Sequence, residues 1–170
     1  MRLLPATIAA SAALLAAPAA AGAITVLRLD GIGPLKLGMT RTDAVATGWL
    51  ANRATGCELG GPPLPITYRF TGPMAPSGIS GSAEFRGGHL RGLSFTRGVR
   101  TTAGVTVGRT RLVRMYDRYR ELGFTATAKY ISTFQGTFLT VKRHGHTVIG
   151  AFGRLRTVSI IAIPDVPVCE

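Results

Sequence analysis

A six-residue phrase that occurs twice places the strongest constraint on the fold of this chain. Residues 35–40 read LKLGMT and residues 105–110 read VTVGRT. In each copy apolar and polar residues alternate, as in a half-buried strand, and a glycine then marks a turn. The threonine that follows, Thr40 or Thr110, is a residue type that caps helices. The repeat therefore predicts two related units, each with a strand that leads into a helix through a glycine turn.

The N-terminal segment has the features of a secretory signal peptide. Arg2 supplies positive charge, residues 6–17 form an uncharged apolar stretch, and the tripeptide AGA at 21–23 matches an A-x-A cleavage site. We therefore predict a signal peptide over residues 1–23, with a cut after Ala21 as a second option. The apolar stretch is short for a membrane span and no stop-transfer pattern follows it, so we expect a secreted, extracytoplasmic protein without a transmembrane segment in the mature chain.

The rest of the chain divides into two predicted units that share one compact core. Residues 24–97 form the first unit and residues 98–170 the second, with residues 98–104 as the link between the two. Each unit is expected to be a strand and a helical segment followed by an antiparallel meander, which places the chain in the α+β class. The meander strands are predicted at 66–71, 79–86 and 90–96 in the first unit, and at 125–133, 136–143, 146–152 and 156–163 in the second.

The two predicted helices differ in length. The first runs over residues 41–51 behind Thr40, and Gly48 weakens its end. The second begins behind Thr110 and runs to about Leu122, where Gly123 is the expected stop. The apolar side of this second helix is predicted to face the core, and it consists of Leu112, Met115, Tyr116 and Tyr119.

Two cysteines are present, Cys57 and Cys169. In an exported chain, two cysteines are most simply read as one structural disulfide, which here would join the C-terminal tail to the first unit. The chain-entropy model assigns about 4–5 kcal/mol to a bond that closes so long a loop. Two free thiols are the alternative.

The chain is strongly basic, with a formal net charge of +12. Such a charge favours anionic partners or surfaces, because it attracts polyanions over long distances. A solvated, arginine-rich face that results from composition alone is an equal alternative. The densest basic stretch is the candidate anion- or partner-binding set, which consists of Arg97, Arg100, Arg109, Arg111, Arg114, Arg118 and Arg120.

No residue pattern in the chain predicts a catalytic or metal site. His144 and His146 flank a turn glycine and are expected on an exposed hairpin, without a carboxylate or cysteine nearby in sequence to complete a metal site. The acidic residues are scattered, and no serine lies in a nucleophile elbow. An extracellular hydrolase remains as the alternative, with a site assembled only in the fold from His89, His144 or His146 and a serine or carboxylate.

The order of elements, together with Gly38 and Thr40 in one copy and Gly108 and Thr110 in the other, resembles a known tandem module. It is similar to the modules of the secreted β-lactamase inhibitory proteins, and to those of outer-membrane assembly lipoproteins. The resemblance covers most of residues 27–163. It implies two helix-plus-sheet repeats whose sheets form one concave binding surface, with no cofactor. The inhibitors' contact residues have no matching positions here, so inhibition of a β-lactamase is not transferred.

Taken together, these features predict a secreted, non-enzymatic binding or inhibitory-type protein of the cell envelope or exterior. It would recognise a protein or an anionic envelope component through the sheet face or the arginine-rich helix edge. Specific recognition of nucleic acid is not expected.

Overall fold

The fold is of the mixed α+β type and consists mostly of sheet. The structure, a computed structural model, describes residues 24–56, 62, 64–154 and 156–167. No helix in this part of the chain is long and apolar enough to cross a membrane. The elements in chain order are β1 (Thr25–Arg28), β2 (Gly31–Ile32), β3 (Leu35–Lys36), α1 (Arg41–Ala46), β4 (Ala51–Thr55), β5 (Ile66–Arg69), β6 (Ser80–Arg86), β7 (His89–Arg97), β8 (Val99–Thr101), α2 (Leu112–Glu121), β9 (Thr125–Ile131), β10 (Gly136–Arg143), β11 (His146–Gly153) and β12 (Ile160–Ile163).

An eight-stranded antiparallel sheet forms the body of the fold. Its strand order is β4-β5-β6-β7-β12-β11-β10-β9, so the final strands of the two predicted meanders, β7 and β12, pair at its centre. Phe95 faces Ile161 across this pair, and both side chains are fully buried. Ala44 of α1 and Met115 of α2 belong to the same core cluster, so both helices cover the same face of the sheet.

A smaller, four-stranded sheet joins the beginnings of the two halves. Its order is β3-β2-β1-β8, and β1 pairs with β8 in parallel. Residues 98–104 are predicted only as a link, which is wrong for the three residues that form β8. A three-residue strand is too short to show an alternating pattern, and its pairing with β1 depends on contacts distant in sequence. Leu27 of β1 and Val99 of β8 are fully buried, which anchors this small sheet in the core.

The two copies of the phrase make corresponding hydrogen bonds. The Gly38 N–H donates to Leu90 O at 2.8 Å, and the Gly108 N–H donates to Val158 O, also at 2.8 Å. Both glycines have positive φ, +86° and +76°, and an added Cβ at either would meet nothing within 4 Å. The glycine is therefore needed for its backbone conformation rather than for space. It turns the chain and docks the turn against β7 in one half and against the segment before β12 in the other.

The second copy contains one more residue between its glycine and its helix, which overturns one sequence prediction. Thr40 is the N-cap of α1, and its hydroxyl accepts from the Asp43 N–H at 3.2 Å. The N-cap of α2 is Arg111, without a side-chain hydrogen bond, so the prediction that Thr110 caps this helix was wrong. The extra residue moves Thr110 back into the turn, where its hydroxyl accepts from the Thr106 N–H at 2.9 Å.

The first helix is shorter than predicted, and the second ends as expected. The prediction of a helix to residue 51 was wrong because α1 ends at Ala46 and residue 51 begins β4. Gly48 has a φ of +72° and leaves the helix there. At the end of α2, the Gly123 N–H donates to Arg120 O and the Phe124 N–H to Tyr119 O, which together form a Schellman motif.

Hairpin turns were predicted correctly from the sequence in both halves of the molecule. The Gly87-Gly88 turn between β6 and β7 has positive φ at both residues, as has the His144-Gly145 turn between β10 and β11. Two-residue turns of this kind match the twist of the flanking strands. Strand β12 is shorter than the predicted 156–163, because residues 156–159 form a turn and a short connection. This connection accepts hydrogen bonds from the Gly108 and Leu112 N–H groups at the start of α2.

Candidate functional site

The face of the large sheet that carries no helix bears a row of small side chains. Each of six neighbouring strands contributes one residue to this row, and the strand register pairs each residue directly with the next. The strands are β6, β7, β12, β11, β10 and β9. The two ends of this row reach solvent, whereas its centre, Ala162 and Gly150, is buried. We call this surface the open face, and its central row consists of Ser82, Ser94, Ala162, Gly150, Thr140 and Thr127.

The C-terminal segment crosses the middle of the open face. Residues 164–167 follow β12 and return over β11, where an added Cβ at Gly150 would collide with Asp165 Oδ1 and the Val166 backbone nitrogen. Val166 is 8 % exposed and packs with Ala162. Glycine at position 150 therefore permits the close approach of this segment.

Next to this segment, an aromatic cluster forms the apolar part of the open face. The rings of Phe138 and Phe152 lie 4.8 Å apart between centroids, and Phe134 packs against Phe138 at 5.6 Å. Ile160 is also part of this cluster, which is separate from the main core. Phe134 and Phe138 keep partial exposure, so aromatic surface is available beside the row of small residues.

A pocket of about 320 Å³ lies on the other side of the C-terminal segment, over β5, β6 and β7. Glu84, Arg91 and Asp165 line it and give it mixed charge. Ser82 and Ser94, also in its lining, hydrogen-bond to each other at 2.9 Å. One hydroxyl donates to the other, so the two serines form a linked pair of polar groups in the pocket lining.

The seven arginines of the predicted set are all exposed, but only some of them come together. An added Cβ at Gly104 would lie 2.8 Å from Arg118 Nη1 and 3.3 Å from Arg100 Nη2, so both guanidinium groups lie against this glycine. Arg118 also donates to Ala103 O at 3.1 Å. β8 and α2 thus bring two members of the set together, although 18 positions of sequence numbering separate Arg100 from Arg118.

The remaining members of the set have other surroundings. Arg114 and Arg118 line a cavity of about 350 Å³ together with Asp117 and Glu121, so carboxylates on α2 offset part of the positive charge. Arg120 lies over the Tyr116 ring at 5.5 Å, a cation–π geometry. In the described part of the chain, no side-chain hydrogen bond or ion pair joins Arg97, Arg109 or Arg111 to the two arginines at Gly104, which are Arg100 and Arg118. The predicted set is therefore mostly dispersed along one edge of the molecule, and only Arg100 and Arg118 lie side by side.

The three histidines lie at hairpin ends and are exposed. His89 Nδ1 lies 2.9 Å from Gly87 O, and His144 occupies a turn position with φ of +50°. Within the described ranges, no three side chains of His, Cys, Asp or Glu are placed to hold a metal ion. Cys57 and Cys169, the predicted disulfide, lie outside the described residues.

Among the described residues, Tyr119 is a buried titratable side chain with a shifted pKa. Its ring packs edge-on against Phe124 at 5.5 Å, and its hydroxyl has no hydrogen-bond partner among the described residues. Burial raises the pKa of Tyr119, and the nearby Thr101 hydroxyl only partly opposes this. Tyr119 lies on the buried side of α2 and belongs to the main core cluster, so it contributes to packing.

Comparison with known proteins adds no relative: no family model, characterised protein or solved structure matches this chain.

The register that assembles the open face could not be read from the sequence. Ser94, Ala162 and Gly150 are unremarkable small residues until strand pairing places them side by side. The alternation within each strand was the available signal. On β7, Leu93 and Phe95 point into the core, so Ser94 between them points to the opposite face.

Proposed function

We propose that this chain is an exported, non-enzymatic binding protein that recognises a protein or an anionic component of the cell envelope through the open face of its large sheet. The single observation that carries the proposal is the helix-free face itself. Small residues form its central row, and Phe134 and Phe138 supply aromatic surface beside it. Partly exposed aromatic side chains are typical anchors of protein interfaces.

We further propose that the molecule consists of two related units whose sheets join at β7 and β12. The equal hydrogen bonds of Gly38 and Gly108 support this, as do the bonds that follow them along the chain. Leu90 N–H donates to Met39 O at 2.8 Å, and Val158 N–H donates to Thr110 O at 2.9 Å. Two four-strand meanders that meet edge to edge would give a partner a surface wider than either meander alone.

Charge supports an acidic partner or surface. The described residues contain two ion pairs, Lys36 with Asp30 and Arg86 with Glu84, and most arginines remain exposed. Long-range attraction from such an excess accelerates association with an acidic partner and weakens as salt rises. Export is supported by the signal-peptide pattern of the first 23 residues.

Capture from envelope extracts tests the proposal. The chain beginning at residue 24 is immobilised, and partners are eluted after washes at low and at high salt. A partner that survives high salt supports recognition of a protein, and one that high salt removes supports an anionic polymer. If nothing specific is retained in either wash, the proposal is wrong.

A matched pair of variants locates the surface. Thr140→Trp places a large ring in the central row of the open face, whereas Thr42→Trp places the same ring on the exposed surface of α1. Captured partners are expected to be lost from the Thr140 variant and kept by the Thr42 variant. Equal retention by both variants would exclude the open face as the binding surface.

A further inference from the structure

On the helix-covered side of the sheet, a groove of about 710 Å³ lies between α2 and the β9–β10 hairpin. Its floor is low where small residues face the helix: Ala128 on β9 and Gly153 on β11. An added Cβ at Gly153 would lie 2.8 Å from Leu112 Cδ1, so the glycine allows the first turn of α2 to approach the sheet.

The walls of the groove are apolar. Val113 and Tyr130 are 56 % and 63 % exposed, and both line this space together with Tyr116 and Leu139. Tyr130 faces Thr137 across β9 and β10 at the outer end of the floor. An occupant would therefore bury apolar side chains that the folded chain leaves in water.

The only charged side chains that line the groove are two arginines, Arg111 and Arg156. Arg111 is bridged to Thr157, and the Leu112 N–H donates to Arg156 O at 2.8 Å, so the backbone holds both arginines at the same end. No carboxylate lines the groove among the described residues. An apolar channel that ends at two unneutralised guanidinium groups is complementary to a molecule with an apolar body and an anionic head.

We propose that this groove binds a long-chain carboxylate, with the acyl chain along Val113, Ala128 and Tyr130 and the carboxylate at Arg111 and Arg156. The volume lies within the range of about 300–1,000 Å³ that small-molecule sites occupy, whereas a stable protein partner needs a larger surface. The site lies on the opposite side of the sheet from the open face. It is therefore independent of the proposed function and can fail without affecting it.

Head-group chemistry is tested first, by calorimetric titration of the chain beginning at residue 24 with dodecanoate below its micelle concentration. Dodecanol and dodecyltrimethylammonium serve as neutral and cationic analogues with the same chain. Dodecanoate is expected to bind about tenfold or more tightly than either analogue, since its charge-assisted hydrogen bonds to the arginines are stronger than neutral ones. Absence of dodecanoate binding, or equal affinity for dodecanol, overturns the proposal.

Paired variants then locate the site. Ala128→Phe fills the groove floor, and Thr127→Phe places the same ring on the opposite face of the same strand. Arg111→Gln and Arg156→Gln remove the two charges, and Arg53→Gln on β4 is their control. Affinity is expected to fall about tenfold with each groove variant and to stay unchanged with each control. If Ala128→Phe leaves the affinity for dodecanoate unchanged, dodecanoate binds elsewhere and the proposal is overturned. The same holds if neither arginine variant changes the affinity.

Discussion

The two junctions between strand and helix use the same docking bonds and produce different helices. Gly38 and Gly108 each donate a 2.8 Å hydrogen bond to a neighbouring strand segment, yet α1 has 6 residues and α2 has 10. α1 buries one side chain, Ala44, whereas α2 buries three. The glycine turn thus determines where each helix starts against the sheet, and the residues that follow determine how much core the helix contributes.

The cause of this difference lies in a few residues. Gly48 has positive φ only two residues beyond the end of α1, and the chain then enters β4. In the second half, the first glycine after the helix begins is Gly123, so α2 completes nearly three turns before it stops. A longer helix presents more of its apolar stripe to the sheet, and α2 is accordingly the larger contributor to packing.

The largest expected effect separates the two helices by their buried side chains. Met115→Ala should lower the free energy of unfolding by about 2–5 kcal/mol, because it leaves a cavity beneath α2. Ala44→Gly in α1 should cost only about 1–2 kcal/mol, from one methyl group and the helix propensity of glycine. Denaturant unfolding measures both. Val113→Ala, on the exposed side of α2, is the control and should change stability by less than about 0.5 kcal/mol.

If Ala44→Gly proved as costly as Met115→Ala, the two helices would contribute equally despite their lengths. The comparison between the halves would then have to rest on the junctions alone.

The second prediction tests whether the two junctions are equivalent. Gly38→Ala and Gly108→Ala should each destabilise the fold by about 1–2 kcal/mol, since both positions have positive φ and open space for a Cβ. The two losses should agree within error when measured by thermal or denaturant unfolding. Asparagine tolerates positive φ better than alanine does, so Gly38→Asn and Gly108→Asn should recover part of each loss. Unequal losses would show that the two turns contribute different amounts to the free energy of unfolding.

The sequence predicted those parts of the fold that depend on neighbouring residues. Turn glycines such as Gly87 and Gly145, the apolar stripe of α2 and its Gly123 stop are local signals, and the structure confirms them. The length of α1 and the N-cap of α2 were predicted wrongly. The N-cap depends on one inserted residue, and the length of α1 depends on β4, whose strand conformation is set by pairing with β5 across a connection of ten residues rather than by its own residues.

The candidate surfaces were harder to predict for the same reason. The open face needs the register across β6 to β12, and the groove needs the packing of α2 on β9 and β10. The arginine set was found from its density in the sequence, but which arginines meet was not. Arg100 and Arg118 lie on different elements, and Gly104 between them allows both guanidinium groups to approach.

The third prediction uses the inserted residue of the second junction. Thr40→Ala should cost about 1 kcal/mol because α1 loses its side-chain cap. Arg111→Ser should have the opposite sign and stabilise by about 0.5–1 kcal/mol, because serine can cap α2 and the arginine charge near the helix N-terminus is removed. Unfolding midpoints and slopes give both values. A loss of stability in the Arg111 variant would mean that its side chain has a packing role that outweighs capping.

The smallest expected effect concerns the ion pair present in only one copy of the phrase. Lys36 donates to Asp30 Oδ2 at 2.8 Å, whereas the second copy has Thr106 in place of the lysine. The hydrogen bond from Lys36 lowers the pKa of Asp30, so the folded state favours the ionised carboxylate. The stabilisation is therefore present at neutral pH and is lost as pH falls through the lowered pKa. Both side chains are substantially exposed, so salt should weaken the effect.

Lys36→Gln should raise the pKa of Asp30 toward its ordinary value, as measured by an NMR titration of the carboxyl carbon. Added salt should produce part of the same shift in the unchanged chain, because the charges are exposed to solvent. Lys129→Gln, a matched change on the exposed part of β9, should leave the Asp30 titration where it was. If the Lys36 variant also left it unchanged, the exposed pair would not persist in solution, and the two copies of the phrase would not differ in acid sensitivity.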